Sequence, residues 1–412
     1  MMKWIKLAVR NILRNKRRSF VTLLAIGVGY AAISLFYGYM HNVYTGMRYM
    51  AIEGEGLGHL RVNKAGWQEK GKLQPEKYMF SKEDTQKIIK LVTEEKDVVL
   101  ATPQIQVTGI VTNGIASTVF IAQSVVPKDD KIIKGGWASF APITGQTLSE
   151  EKPYGAEVAK DLARYLSFTP GKDGVVMAPT LSGQMNAMDI QVAGVYDSGS
   201  DFSNDKFMRF NYYFAQSLLD TQSAERIVVL LKDWQKTQLM RTVLLKKLKA
   251  AGIDCEIRTW EELSLSFSKN KAWIDTMFMF LFSIVLVIVV MTTVNTMGMA
   301  ILERTREIGT LRALGLKRRG VSLLFALEGA FLGFFGSILG IILHTCVWAI
   351  IRIYPPQYTP PGVSMSVSLT VDMVPPMLFI LLLSLVLLSL FAAIIPARRA
   401  ARQNIVDSLG HV

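Results

Sequence analysis

Glu303-Arg-Thr-Arg-Glu-Ile-Gly-Thr-Leu-Arg-Ala-Leu-Gly-Leu-Lys-Arg-Arg-Gly320 is a short basic segment caught between two long apolar runs. Drawn as a helix, it puts Ile308, Leu311 and Leu314 on one face and Arg304, Arg306 and Arg312 on others. Such a segment reads as a cytoplasmic element between two membrane spans, shaped to receive work from a soluble motor. Glu303, Arg304, Arg306, Glu307, Ile308, Gly309, Leu311, Arg312, Ala313, Leu314 and Gly315 are the candidate coupling residues. A charged interfacial loop that only anchors two helices is the simpler alternative.

Working outward, four runs are long enough to cross a hydrocarbon core of about 30 Å, which takes roughly 20 helical residues. They are Phe20 to Met40, Thr276 to Leu302, Val321 to Ile351 and Met373 to Ala397. The predicted fold class is an α-helical membrane protein with four transmembrane helices and a large α+β extracytoplasmic domain, in two lobes, between helices 1 and 2. The expected divisions are a cytoplasmic amphipathic helix over 1–18, spans over 19–40, 276–302, 321–351 and 373–397, the large domain over 41–275, the coupling helix over 303–320, a short external loop over 352–372, and a cytoplasmic tail over 398–412.

Orientation follows the basic residues. The segment before the first span, the one between the second and third, and the one after the fourth together hold 16 basic and 3 acidic residues, a balance equal to the whole formal net charge of +13. Both termini are expected in the cytoplasm and the large domain on the opposite, extracytoplasmic side. That domain carries 29 basic and 28 acidic residues, so the high isoelectric point does not point to nucleic acid. Basic flanks of this kind meet anionic membrane lipid instead. The first apolar core is full length and reads as an uncleaved signal anchor. Two cysteines, Cys255 and Cys346, give no disulfide framework.

Within the large domain, Gly58 to Val62 looks like a strand. Ser81 to Glu95 looks like a helix with a Ser-x-x-Asp start, and Ile105 to Val111 like an alternating strand. Arg226 to Leu231, Asp233 to Ala251 and Ile253 to Arg258 read as strand, helix, strand. A porter-like lobe is therefore expected over about 41–113 and 214–260, an inserted lobe over about 114–213, and a helical stalk over 261–275.

Leu181-Ser-Gly-Gln184 imitates an ABC ATPase signature, but no Gly-x-x-x-x-Gly-Lys-Ser/Thr loop accompanies it, so it carries no nucleotide chemistry. His41, His59, His344 and His411 show no metal-ligand spacing, and no hydrolase motif occurs; no catalytic, cofactor or metal residue is expected. Gly329, Gly333, Gly336 and Gly340 share one face of the third span and let helices approach closely, within the chain or across a dimer. Glu328 lies two turns into that span and is expected to snorkel or to pair with a basic coupling residue.

Three pieces resemble the ABC permease superfamily of MacB, LolCDE and FtsX. They are Ala8 to Arg18, Arg306-Glu-Ile-Gly-Thr-Leu-Arg-Ala-Leu-Gly315, and Ile395-Pro-Ala-Arg-Arg-Ala-Ala-Arg402 followed by Val406 to Leu409. Val192 to Gly199 with Asp205 is similar to a loop of the lipoprotein-release permeases, the LolC/LolE-like branch, which marks Ser198, Gly199 and Asp205 as external-loop candidates. The resemblance implies a mechanotransmission transport subunit and not an enzyme. Its implied partners are a dimer of a cytoplasmic ABC ATPase that holds the ATP and Mg, and a second permease copy or a homologous permease. Cargo implied by that branch is lipoprotein passed from the inner membrane to a periplasmic acceptor. MacB-like efflux of drugs or peptides with a periplasmic adaptor, and FtsX-like regulation of a cell-wall hydrolase, are the alternatives.

Overall fold

The computed structural model describes residues 16–71, 73–135, 142–360 and 363–402. The amphipathic helix expected before the first span lies, up to residue 15, outside them, as does the tail beyond 402 with His411. Among the described residues four helices are long and apolar enough to span a membrane: Lys16–Tyr49, running on as a π-turn over Met50–Gly54, then Leu265–Glu303, Arg318–Ile353 and Pro375–Ala401. The protein is α-helical in the membrane, with a large α+β domain inserted between its first and second spans. The first three helices outrun their apolar stretches at both ends and the fourth, which starts two residues inside its stretch, at its C-terminal end, because hydropathy marks only the part that lies in hydrocarbon and flanking polar residues do not end a helix. The helical stalk expected over 261–275 is instead interrupted. Thr259 caps Trp260–Leu263 in a capping box with Glu262, and Ser264 leaves the helical region at ψ 88° before the long helix starts at Leu265.

The chain divides into two compact units. One holds the membrane helices. Ile26 and Tyr30 of the first, Val289 of the second, Phe325 and Leu332 of the third, and Leu385 and Ala393 of the fourth are buried together. Lipid tails are as apolar as these side chains, so close packing and interhelical hydrogen bonds hold such a bundle. Thr22 and Thr296 hydroxyls meet at 2.6 Å, Tyr30 donates to Leu378 O at 2.7 Å, and Ser34 Oγ lies 2.9 Å from His344 Nδ1. Gly329, Gly333, Gly336 and Gly340 of the third helix meet two successive partners. A Cβ on Gly329 or Gly333 would strike Ser389 or Leu385 of the fourth helix, and one on Gly336 or Gly340 would strike Ile26 or Tyr30 of the first. All these contacts are within the chain.

Gly340→Leu should accordingly destabilise the detergent-solubilised protein by about 1–3 kcal/mol through overpacking. A Cβ there would lie 2.5 Å from that of Tyr30, whereas Gly298 has nothing within 4 Å and should accept Leu. Equal thermal stability of the two variants would show that close approach is not what Gly340 supplies.

The second unit, Thr45–Asn270 with Tyr358–Val367, holds two sheets. Strands β1 (Leu60–Lys64), β2 (Val98–Gln104), β10 (Arg226–Leu231) and β11 (Cys255–Thr259) form an antiparallel sheet in the order β11-β1-β10-β2. Helices Lys82–Thr93 and Thr237–Ala250 cover one face, burying Ile88, Val92, Leu244 and Leu248 against Leu60, Val62, Ile227 and Ile257. This is a split β-α-β lobe of ferredoxin-like order. The expected cap is present, with Ser81 Oγ accepting from Asp84 N–H at 3.0 Å.

Between β2 and β10 the chain builds a second lobe from β3 (Gln106–Thr112), β4 (Ser117–Val125), β5 (Thr144–Gly145), β6 (Gly155–Ala159), β7 (Asp173–Pro179), β8 (Met185–Tyr196) and β9 (Phe207–Asn211). Their order is β5-β8-β6-β9-β4-β3-β7, and β7 also pairs with β8, so the sheet closes into a small barrel. The first half of β8 lies beside β7 and the second half beside β6. Closure leaves few strand edges to protect. The inserted lobe thus starts at Gln106, ahead of the boundary expected at 114. A period-two pattern over Ile105 to Val111 says that a strand is there but not which sheet receives it.

His59, just before β1, is 8% exposed and accepts the Leu231 N–H on Nδ1 at 3.1 Å. Burial, helped by the Arg48 charge, pushes its pKa down from 6.5 to about 4. The unfolded chain therefore takes up the proton first as the pH falls. Stability is full above pH 6.5 and is lost progressively down to about 4, by up to about 3 kcal/mol. His59→Asn should flatten the pH dependence of thermal unfolding in that window; an unchanged slope would place the acid sensitivity elsewhere.

Candidate functional site

The decisive segment folds as a separate short helix, Thr305–Ala313, between the second and third membrane helices. Its inward side is Arg304, Thr305, Ile308 and Gly309, all buried, with Ile308 part of the bundle core. Arg306, Glu307, Thr310, Leu311, Ala313, Leu314 and Gly315 face outward and Arg312 is half-buried. Ile308 therefore does not share a surface with Leu311 and Leu314, which are 38% and 80% exposed. A period of 3.6 leaves three residues spaced by three spread over a broad arc. The inward edge of that arc is taken by the core.

The helix ends in a Schellman motif: Leu316 N–H donates to Leu311 O and Gly315 N–H to Arg312 O, both at 3.0 Å, with Gly315 at φ +95°. Ion pairs of Glu303 and Arg304 fix its other end. Arg18 of the first membrane helix meets both carboxylate oxygens of Glu303 at 2.9 and 2.8 Å. Arg304, almost fully buried, donates to Glu328 of the third helix at 3.2 Å and has Glu307 at 3.9 Å. The acid in the third span is thus held by a basic residue of the segment, one of the two outcomes anticipated for it. The result is an anchored helix with an exposed apolar knob, Leu311 and Leu314, and with exposed Arg306, Lys317, Arg318 and Arg319 within a few residues of it in sequence.

In the large domain, Ser198 and Gly199 lie in a turn organised by a neighbour the sequence reading had not singled out. Asp197 accepts from Lys160 Nζ at 2.7 Å, Gly199 N–H at 2.9 Å, Asn204 Nδ2 at 3.0 Å and the Ser364 hydroxyl. Burial alone would raise this carboxyl, but those hydrogen bonds outweigh it and hold it down at about 2. Gly199 needs its φ of +79°, and a Cβ there would run into Met50. Asp205 stands apart on the surface beside Lys206. The middle of the loop between the third and fourth membrane helices docks on this turn through a Ser200–Val363 bridge and Ser364 N–H to Gly199 O at 3.3 Å. The signal for Asp197 was its Asp-Ser-Gly context, which favours tight turns. Leu181 to Gln184 is itself the turn joining β7 to β8, with Gly183 at φ +86°.

The model of the MacB-like periplasmic core domain family matches residues 19–243, more than half of the chain, and that of the FtsX-like permease C-terminal family matches 279–405. The chain belongs to the MacB and FtsX permease superfamily. An uncharacterized ABC transporter permease of Methanocaldococcus jannaschii is 24% identical over 82% of either chain. The lipoprotein-releasing system transmembrane protein LolC of Neisseria meningitidis is 29% identical over 21% of each. A macrolide export ATP-binding/permease protein MacB of Yersinia pestis is 26% identical over 65% of this permease but only 40% of its own length. The crystal structure of the periplasmic region of MacB from Actinobacillus actinomycetemcomitans aligns over 53% of this permease and 95% of its own chain, at 14% identity and a TM-score of 0.37. The family match covers the first span and most of the inserted domain, and the second covers the short helix with the spans beside it. This protein is an ABC transporter permease of the MacB/LolC/FtsX type.

Proposed function

We propose that this permease converts ATP-driven movement of a separate cytoplasmic ATPase dimer into movement of its large periplasmic domain, with both of its own termini in the cytoplasm. ATP and Mg belong to that partner. The observation that carries the reading is the exposed Leu311 and Leu314 on a helix whose opposite side is locked into the membrane bundle by Ile308 and Arg304. Force applied to such a knob passes into the second and third membrane helices instead of being absorbed by a loose loop. A second permease, identical or homologous, completes the pair that an ATPase dimer requires.

For cargo we favour lipoprotein or another lipid-anchored substrate taken from the inner membrane, supported by the likeness to LolC and by the Asp197-Ser198-Gly199 turn. Efflux of a MacB type predicts a periplasmic adaptor, and regulation of an FtsX type a cell-wall hydrolase, among the proteins that co-purify with the tagged chain.

Leu311→Asp combined with Leu314→Asp should lower ATPase stimulation and transport about tenfold or more, as expected for loss of central apolar anchors, with membrane insertion intact. The measurement is ATP hydrolysis by the ATPase that co-purifies with the C-terminally tagged chain. Retention of that ATPase at full stoichiometry and rate would remove the knob from the coupling path.

A further inference from the structure

One edge of the four-stranded sheet is β11, which among the described residues pairs with β1 alone. Ala65 N–H donates to Asp254 O at 3.3 Å and Trp260 N–H to His59 O at 3.1 Å, so the backbone groups of residues 254 and 260 point to β1. By the alternation of an antiparallel ladder, those of Glu256 and Arg258 do too, and those of Cys255, Ile257 and Thr259 point away from the sheet. A strand added on the outside would therefore meet Ile257 in a hydrogen-bonded position. Glu256 and Arg258 would fall in the closer-spaced positions between such pairs, where side chains across the ladder interact most.

Both of these charged residues lack an internal partner. Neither makes an ion pair or side-chain hydrogen bond among the described residues, and Glu256 Oε1 is shielded from solvent with nothing donating to it. Arg258 sits directly opposite Arg61 of β1, so its neighbour within the sheet repels it. They border a groove of about 470 Å³ along this edge, with Arg241, Lys249 and Glu262 on its helical wall.

We infer that β11 is a self-pairing edge, and that a second copy of this chain adds its own β11 antiparallel about a two-fold axis through Ile257. In that register Glu256 of each copy faces Arg258 of the other, twice per interface, and Cys255 faces Thr259. An axis through Arg258 would oppose two arginines, and one through Glu256 would oppose two glutamates while setting Arg258 against Asp254; the Ile257 axis pairs both charges with no like-charge contact, which favours that register. A C₂ contact requires this kind of self-complementarity. The inference rests on the pairing of two permeases proposed above and specifies which surface of the large domain meets its twin.

The test uses full-length chains in nanodiscs with the co-purifying ATPase. One tagged copy carries Glu256→Cys, a differently tagged copy carries Arg258→Cys, and mild oxidation should link the two tags at least fivefold above the background set by native Cys255 and Cys346 in unsubstituted copies. Charge reversal provides the second arm. Glu256→Arg alone and Arg258→Glu alone should each reduce linkage between probes placed at Cys255 and Thr259→Cys, and the double reversal should restore it. Restoration in the double variant separates register from folding damage. Background-level linkage in copies that co-purify as pairs would overturn the strand contact while leaving the paired permease standing. Copies that never co-purify would overturn both.

Discussion

Arg209→Met should unfold the barrel lobe well before the rest of the large domain, at a cost of about 3–5 kcal/mol, because it strips buried Glu157 of its cation and leaves buried Asp130 with Lys134 alone. The Arg209 side chain is 10% exposed, and its guanidinium donates to Glu157 Oε2 at 2.8 Å and to Asp130, which also holds Lys134 at 3.3 Å. Burial works against the charge on Arg209, but Asp130 and Glu157 outweigh it and hold the guanidinium firmly protonated. Burial alone would likewise raise Asp130, yet Arg209 and Lys134 keep it below the usual carboxylate range. Hydrogen exchange read separately over barrel and ferredoxin-like peptides would show the selective loss. Replacing all four charges together with Met and Leu should recover most of the stability, since an apolar core needs no pairing. Equal loss in the single and quadruple variants would mean that Arg209 acts through packing alone.

Glu328→Ala should be comparably costly, about 3–5 kcal/mol, since it withdraws the buried carboxylate that faces Arg304 inside the bundle. Its consequence differs in kind. Arg304 is the residue at which the second membrane helix hands over to the short helix, so loosening it frees the base of the Leu311 and Leu314 knob. Loss of coupled ATPase activity should therefore exceed the loss of folded protein, and Glu328→Leu with Arg304→Met should restore folding further than coupling. Thermal stability and coupled hydrolysis measured on the same samples separate the two. A variant that folded poorly but coupled normally per folded molecule would reduce this pair to a structural tie.

Much of the architecture was open to reading because each signal was local. Length and hydropathy mark the four spans, Ser81 marks a helix start through its own hydrogen bond, and Arg226 to Leu231 is apolar enough to be a central strand wherever it pairs. What escaped was pairing between distant residues. Barrel closure depends on β8 changing neighbours halfway along its length, from β7 to β6, and periodicity records no partner. Ile308 turned inward and Leu311 outward for the same reason: the amphipathic pattern gives an arc, and the bundle decides which part of it is covered. Asp197 is legible only as a turn residue, through its bonds to Gly199 and Asn204; its links to Lys160 and to Ser364, 37 and 167 residues away, leave no trace in local sequence.

The barrel has one further property. The chain leaves the four-stranded sheet after Gln104 and returns at Arg226, and these two residues face each other across neighbouring strands, so exit and re-entry are about 4.8 Å apart. If the turn over Asp197 to Ser200 that receives the Val363–Ser364 loop is kept, a module joined through so narrow a neck can be lengthened, shortened or exchanged without displacing any strand of its host. Its surface is free to diversify while the membrane bundle and the short helix keep their geometry, which makes the barrel the natural place for relatives sharing one engine to acquire different tasks.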